Sequence, residues 1–273
     1  MTRLKEAFFG AFSPDSSFFA AVGKASRVLL YNLTGEIRRF PALPFASGIS
    51  LSNDEDRVAL TSPEHKLCIA QLNGEIVCTT NTQAEASDGL WTPDSCHVLI
   101  PFWNKELHLV NSQTGKTEDI KEIGKSPRIQ PYPAGFSLTH WRIDEFLYPR
   151  IETFDWNLNA TSEPVELSIN YSRFGTSQNL NYFWRISPIG LEILDRSQNV
   201  LFTHSGEIRS ATISPSEKEI AVVENNGLVT RRLLPSGEVI STYSIPYATQ
   251  PHYSPDESML AVTSQKQGVL LQI

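Results

Sequence analysis

Six histidines, three cysteines and two acidic clusters are the side chains in this sequence with the types needed for chemistry. The histidines are His65, His97, His108, His140, His204 and His252. No two stand at a metal-ligand spacing, so each is expected to be a surface or hydrogen-bonded residue. No Gly-x-Ser-x-Gly nucleophile turn and no phosphate-cradling glycine loop occurs. Asp54-Glu55-Asp56 lacks the ligand spacing of a calcium loop and reads as a solvated turn tip, as does Asp144-Glu145. No catalytic, metal-binding or cofactor-binding set is predicted, and the chain is expected not to be an enzyme. The residues better suited to recognition are aromatic and basic ones at loop positions: Phe45, Trp103, Lys125, Arg128, Tyr132 and Tyr247. Aromatic residues and arginine carry much of the binding energy in protein interfaces.

The elements that must position these residues come from a repeat. Ser13-Pro14-Asp15, Ser52-Asn53-Asp54, Thr92-Pro93-Asp94, Ser214-Pro215-Ser216 and Ser254-Pro255-Asp256 recur at intervals close to 40 residues. The gap between Thr92 and Ser214 has room for two more. Trp141-Arg142-Ile143-Asp144 is expected to supply one and Thr176-Ser177-Gln178-Asn179 the other. Proline presets φ for a turn, and the hydroxyl and carboxylate beside it can bond the local backbone. A short apolar run follows each turn, such as Phe18 to Val22, Phe146 to Tyr148 and Leu260 to Val262. Unbroken apolar runs bounded by turns suit strands covered on both faces. A second turn follows at Thr34-Gly35, Asn73-Gly74, Thr114-Gly115 and Ser236-Gly237. Each period then holds four antiparallel strands, a to d, which is a propeller blade. The predicted fold is all-β, a single seven-bladed β-propeller over residues 1–273.

Phe12-Ser13-Pro14-Asp15 through Val22, followed by Val28-Leu29-Leu30-Tyr31-Asn32, resembles a blade of the WD-repeat family, as does Tyr253 through Val262. The Trp-Asp dipeptide of that family is replaced by Tyr31-Asn32, Val110-Asn111 or Leu194-Asp195. The resemblance implies a divergent propeller that binds proteins through one rim. The d-to-a and b-to-c loops open on that rim, and the six aromatic and basic residues are assigned there. Segment 121–135, rich in proline, is expected to be a long stiff loop on it.

The ends break the pattern. Counting back from Ser13, the closing strand d would begin before Met1. Either the last blade has three strands, or Thr2 to Lys5 add a stub, or the sequence in hand is shorter than the full chain. A three-stranded blade would leave 267–273 as an open edge able to accept a partner strand.

Composition bounds the function. The formal charge is −7, which disfavours nucleic acid and suits a basic protein partner. Three cysteines give no disulfide framework, so free thiols and a cytoplasmic location are expected. Position 69 should face Cys78, which puts Cys68 and Cys78 on opposite sheet faces. The start of the sequence is charged, so no membrane segment is expected. The favoured function is a non-catalytic interaction scaffold or adaptor. The alternatives are a neutraliser of a basic toxin or nuclease, and a propeller enzyme or small-molecule binder using the central funnel. An axis plugged by apolar side chains would exclude the last.

Overall fold

The computed structural model describes residues 1–5, 7–23, 27–141, 149–167, 173–187 and 189–273. The chain begins with β1 (Thr2–Lys5), which joins the last sheet. Blade 1 is β2 (Phe9–Phe12), β3 (Phe19–Val22), β4 (Arg27–Asn32) and β5 (Gly35–Pro41). Blade 2 is β6 (Gly48–Leu51), β7 (Arg57–Ser62), β8 (Lys66–Gln71) and β9 (Ile76–Asn81). Blade 3 is β10 (Leu90–Trp91), β11 (His97–Phe102), β12 (Glu106–Asn111) and β13 (Thr117–Glu122). Blade 4 is β14 (Lys125–Tyr132), β15 (Gly135–Trp141), β16 (Pro149–Phe154) and β17 (Val165–Glu166). Blade 5 is β18 (Phe174–Thr176), β19 (Tyr182–Ser187), β20 (Gly190–Asp195) and β21 (Val200–Ser205). Blade 6 is β22 (Ile208–Ile213), β23 (Glu219–Glu224), β24 (Leu228–Leu233) and β25 (Val239–Ser244). Blade 7 is β26 (Ala248–Tyr253), β27 (Met259–Ser264), β28 (Gln267–Gln272) and, at its outer edge, β1. The molecule is a seven-bladed β-propeller.

The Ser-Pro-Asp segments are the a–b turns. Ser13 Oγ accepts the Phe18 amide at 3.1 Å and donates to Asp15 at 2.7 Å. Ser52, Thr92, Ser177, Ser214 and Ser254 accept the equivalent amide. Burying these hydroxyls is tolerable because each is bonded to the turn it closes. Three positions after each hydroxyl, the backbone enters the left-handed region, at Ser16, Glu55, Ser95, Leu180, Glu217 and Glu257. Five of those side chains reach the preceding blade. Glu55 accepts the Asp15 amide at 2.7 Å, Ser95 that of Asp54 at 3.1 Å and Glu217 that of Asn179 at 2.8 Å. Glu257 accepts the Ser216 amide, and Ser16 that of Asp256 at 3.1 Å. Thus Asp54-Glu55-Asp56 is more than the solvated tip expected of it, since Glu55 ties two blades together.

Strand b is apolar without a break because its alternate side chains enter two different seams. Leu260 and Val262 pack against Ala221, Val223 and Val229 of blade 6. Ala261, between them, packs against Phe19, Ala21 and Leu29 of blade 1. A separate apolar cluster fills each of the seven seams.

One expectation is corrected. Segment 121–135 is not a long loop. It contains the end of β13, the whole innermost strand β14, and the two-residue turn Pro133-Ala134 between the paired residues Tyr132 and Gly135. Pro127 and Pro131 lie in the strand nearest the axis, where one backbone edge has no ladder to supply, so proline fits. Gly135, at φ +156°, is required there, because a Cβ would stand 2.0 Å from the Phe154 carbonyl oxygen. Trp141 therefore ends strand b instead of leading into the a–b turn expected there, and that turn of blade 4 is at Pro133-Ala134. The remainder of the expected anchor, Asp144-Glu145 and the run Phe146 to Tyr148 lie outside the described residues.

Closure follows one of the three alternatives that the ends allowed, the one in which Thr2 to Lys5 add a strand. β1 pairs antiparallel with β28, from Thr2 opposite Leu270 to Lys5 opposite Gln267. Blade 7 has four strands, and β1 covers Gln267 to Leu270 of the edge that a three-stranded blade would leave open. Four residues and a short link are enough, whereas the strand spacing of the other blades suggested a longer requirement. Leu4 is fully buried in the seam between blades 7 and 1. The Tyr31 hydroxyl accepts the Lys5 amide at 3.0 Å and donates to the Lys5 carbonyl at 3.1 Å.

The cysteine register is as expected. Cys78 stands opposite Ile69, and Cys68 and Cys78 pack into different seams. The turn after β8 is longer than two residues, but a bulge between Ile69 and Ala70 restores the register. All three cysteines are free. No described helix is long and apolar enough to cross a membrane.

Candidate functional site: the loop rim and the axial cavity

The antiparallel order of each blade puts d–a and b–c connections on one rim, and a–b and c–d turns on the other. Phe45 and Tyr247 lie in d–a connections and Trp103 in a b–c loop, so the three share a rim. Phe45 is 60% exposed, Trp103 52% and Tyr247 51%, far more than large aromatics usually are. Lys125, at the start of β14, is exposed on the same rim.

The other two predicted contact residues are elsewhere. Tyr132 ends β14, at the opposite rim, and packs half-buried against the Ile151–Leu167–Phe183 cluster. Arg128 lies within β14 and lines the axis. Both were assigned to the rim because 121–135 read as a loop. Once it is a strand, its residues spread from one rim to the other.

Phe45 and Tyr247 share a local sequence, a signal present in the chain itself: Leu43-Pro44-Phe45-Ala46 and Ile245-Pro246-Tyr247-Ala248. In each, the outer apolar residues are buried and the aromatic points outward. The Ala248 amide donates to the Ile245 carbonyl at 3.2 Å, closing a β-turn with proline at its second position. Both aromatics sit in the left-handed region, at φ +53° and +59°. Glycine or asparagine would occupy that place at less cost. The Lys266 ammonium lies 4.0 Å from the centre of the Tyr247 ring.

Beneath this rim is an axial cavity of about 480 Å³. Its wall includes Glu85, Asp88, Trp103, Arg128, Thr212 and Gln250. It is not plugged by apolar side chains. The inner strands that form it are bonded to one another around the axis. Ser87 Oγ donates to the Pro127 carbonyl at 2.7 Å, Gln130 Nε2 to Thr176 Oγ1 at 2.6 Å, and Thr212 Oγ1 to the Pro251 carbonyl at 2.9 Å.

Asp88 is the most perturbed acid there. One carboxylate oxygen accepts the Ile49 amide at 3.0 Å. Its carboxyl is ringed by protein yet open to the cavity. Enclosure pushes its pKa up to about 6, against the opposing pull of the Ile49 N–H and the Arg128 charge. Among the described residues, the side chains of Arg128 and Glu85 have no hydrogen-bond or ion-pair partner.

The histidines are mostly paired. His97 meets Glu118 at 2.8 Å, His108 Glu106 at 2.9 Å, His204 Glu224 at 3.0 Å and His140 Glu152 at 3.2 Å. His252 is enclosed beside the Phe19 ring, and burial pushes its pKa down to about 4, so it is neutral. No three His, Cys, Asp or Glu side chains converge on a metal-sized site among the described residues. Trp91 is structural, its indole N–H donating to the Ser50 carbonyl of blade 2 at 3.2 Å. No protein-family model matches the chain, and no curated protein matches it in sequence.

Proposed function

We propose that this propeller is a non-catalytic interaction module that holds a partner protein on the rim bearing Phe45, Trp103, Lys125 and Tyr247. The observation that carries the reading is the pair of exposed aromatics held at positive φ by the same Pro-aromatic-Ala turn. Backbone strain of this kind persists where surrounding structure enforces it, and it concentrates at binding sites. Large aromatics with few rotors are efficient anchors. The net charge of −7 supports a partner of basic character. The Ser/Thr-x-Asp turns and four-stranded period support kinship with divergent WD-repeat propellers. Three free cysteines support a cytoplasmic setting.

The test is affinity capture with the full chain, in parallel with a Phe45→Ser/Trp103→Ser/Tyr247→Ser variant of unchanged circular dichroism. A captured protein that binds the purified chain directly and is lost with the variant is the expected result. Capture that is indifferent to the three substitutions would overturn the assignment of this rim.

A further inference from the structure

The axial cavity has a chemistry of its own, independent of the rim reading. Two carboxylates, Glu85 and Asp88, and one guanidinium, Arg128, line a single cavity. Asp88 precedes β10, and its neighbour Ser87 bonds Pro127, the residue before Arg128. This link carries Asp88 toward blade 4, while the Ile49 amide fixes its carboxylate from blade 2. Asp88 and Arg128 feel each other's charge without closing an ion pair. Opposite charges, one on strand β14 and the others on the connection into β10 that the Ser87–Pro127 and Asp88–Ile49 bonds tie down, stand apart with unused hydrogen-bonding capacity and form a receptor for a ligand carrying both complementary charges. A cavity of about 480 Å³ accommodates a molecule of that size and excludes a folded partner. Trp103 at its edge offers an aromatic face for an ammonium or an apolar side chain.

We propose that the axial cavity binds a free α-amino acid, its carboxylate on Arg128 and its ammonium between Asp88 and Glu85. Peptide ends share only half of this chemistry, since each terminus carries one of the two charges. Asp88 must be ionised to hold the ammonium, and a cation in the cavity would itself draw the carboxyl back toward its ordinary range.

The experiment uses the intact chain and the twenty L-amino acids singly at millimolar concentration, read by thermal shift and then calorimetry. At least one free amino acid is expected to bind. Its N-acetyl derivative and its carboxamide should each bind about tenfold or more weakly, because each leaves a protein charge unpaired. Arg128→Gln should bind the free acid and the carboxamide alike. Asp88→Asn should narrow the preference over the N-acetyl form, with Glu85 retaining part of it. The capped-ligand comparison needs no variant, so a misfolded mutant does not shield the proposal. Absence of binding by every free amino acid would overturn it. So would capped forms binding as well as the free one, or affinity unchanged in both variants. Phe45→Ser/Tyr247→Ser should leave this binding intact, which separates failure here from failure of the rim reading.

Discussion

The Asp256 amide donates to Ser16 Oγ at 3.1 Å, joining residues 240 apart in sequence across the seam where the ring closes. The same seam holds Leu4, fully buried on β1. The contacts differ in kind. One is a single bond between turns, the other the apolar face of the closing strand. Ser16→Ala should cost about 1 kcal/mol, the net worth of an ordinary hydrogen bond. Leu4→Ala should cost about 2–5 kcal/mol, the range for truncating a buried leucine. Urea unfolding of the two variants checks the order. A Ser16→Ala effect equal to or larger than that of Leu4→Ala would mean that the turn, not β1, closes the ring.

Acid should loosen the a–b turns. The Ser254 hydroxyl and the Ser258 amide hold the Asp256 pKa down to about 2. Asp94 is lowered by the Thr92 hydroxyl and the Cys96 amide. At Asp15 and Asp54, some loss of hydration pushes upward, but the hydroxyl and amide donors outweigh it. A carboxyl with a folded-state pKa below its unfolded value of about 3.9 contributes stability above that value. The contribution is lost as pH falls through the folded pKa. Stability should therefore decline from pH about 4 toward 2, with a slope that Asp256→Asn reduces. These side chains are exposed, so salt should also flatten the slope. Chemical denaturation across that window measures it.

Asp88 has the opposite sign. Its folded carboxyl is raised to about 6, so between pH 4 and 6 the folded protein binds more protons than the unfolded chain. Stability falls as pH rises through that interval. Asp88→Asn keeps an oxygen acceptor for the Ile49 amide and removes the charge. The variant should be more stable than the parent at pH 7 and level with it near pH 4. Equal stability of the two proteins at pH 7 would show that the enclosed charge carries no cost.

Much of this architecture was readable where local chemistry dictates backbone shape. The hydroxyl at Ser13, Ser52, Thr92, Ser177, Ser214 and Ser254 closes its own turn, so the repeat appears in the sequence. Blade 4 escapes the repeat because Tyr132-Pro133-Ala134-Gly135 makes its turn with glycine and no serine or threonine. Closure stays open among three alternatives in the sequence because β1 is held by burial of Leu4 and by Tyr31, contacts with no sequence spacing. The axial cavity was not readable at all. Asp88 and Arg128 line one cavity only because the ring sets blades 3 and 4 side by side. Of the rim residues, Phe45, Trp103 and Tyr247 follow from loop topology. Lys125, Arg128 and Tyr132 all rest on the mistaken loop, and of these Lys125 lies on the rim because it begins β14.

Positive-φ residues should divide into two groups by what their side chains do. Phe45, at +53°, points into solvent, whereas Glu55, at +60°, accepts the Asp15 amide of the neighbouring blade at 2.7 Å. Glycine relieves the left-handed strain at either position, although it also adds freedom to the unfolded chain. Phe45→Gly should leave stability unchanged or raise it by up to about 1 kcal/mol. Glu55→Gly loses a hydrogen bond between blades and should lower stability relative to Phe45→Gly by about 1 kcal/mol. Thermal and urea melts of the two variants test the division. If Phe45→Gly destabilises as much as Glu55→Gly, then Phe45 is held by packing, and its strain does not mark a site. If it stabilises while partner capture is lost, the exposed ring is maintained against the stability of its own loop, as expected of a binding residue.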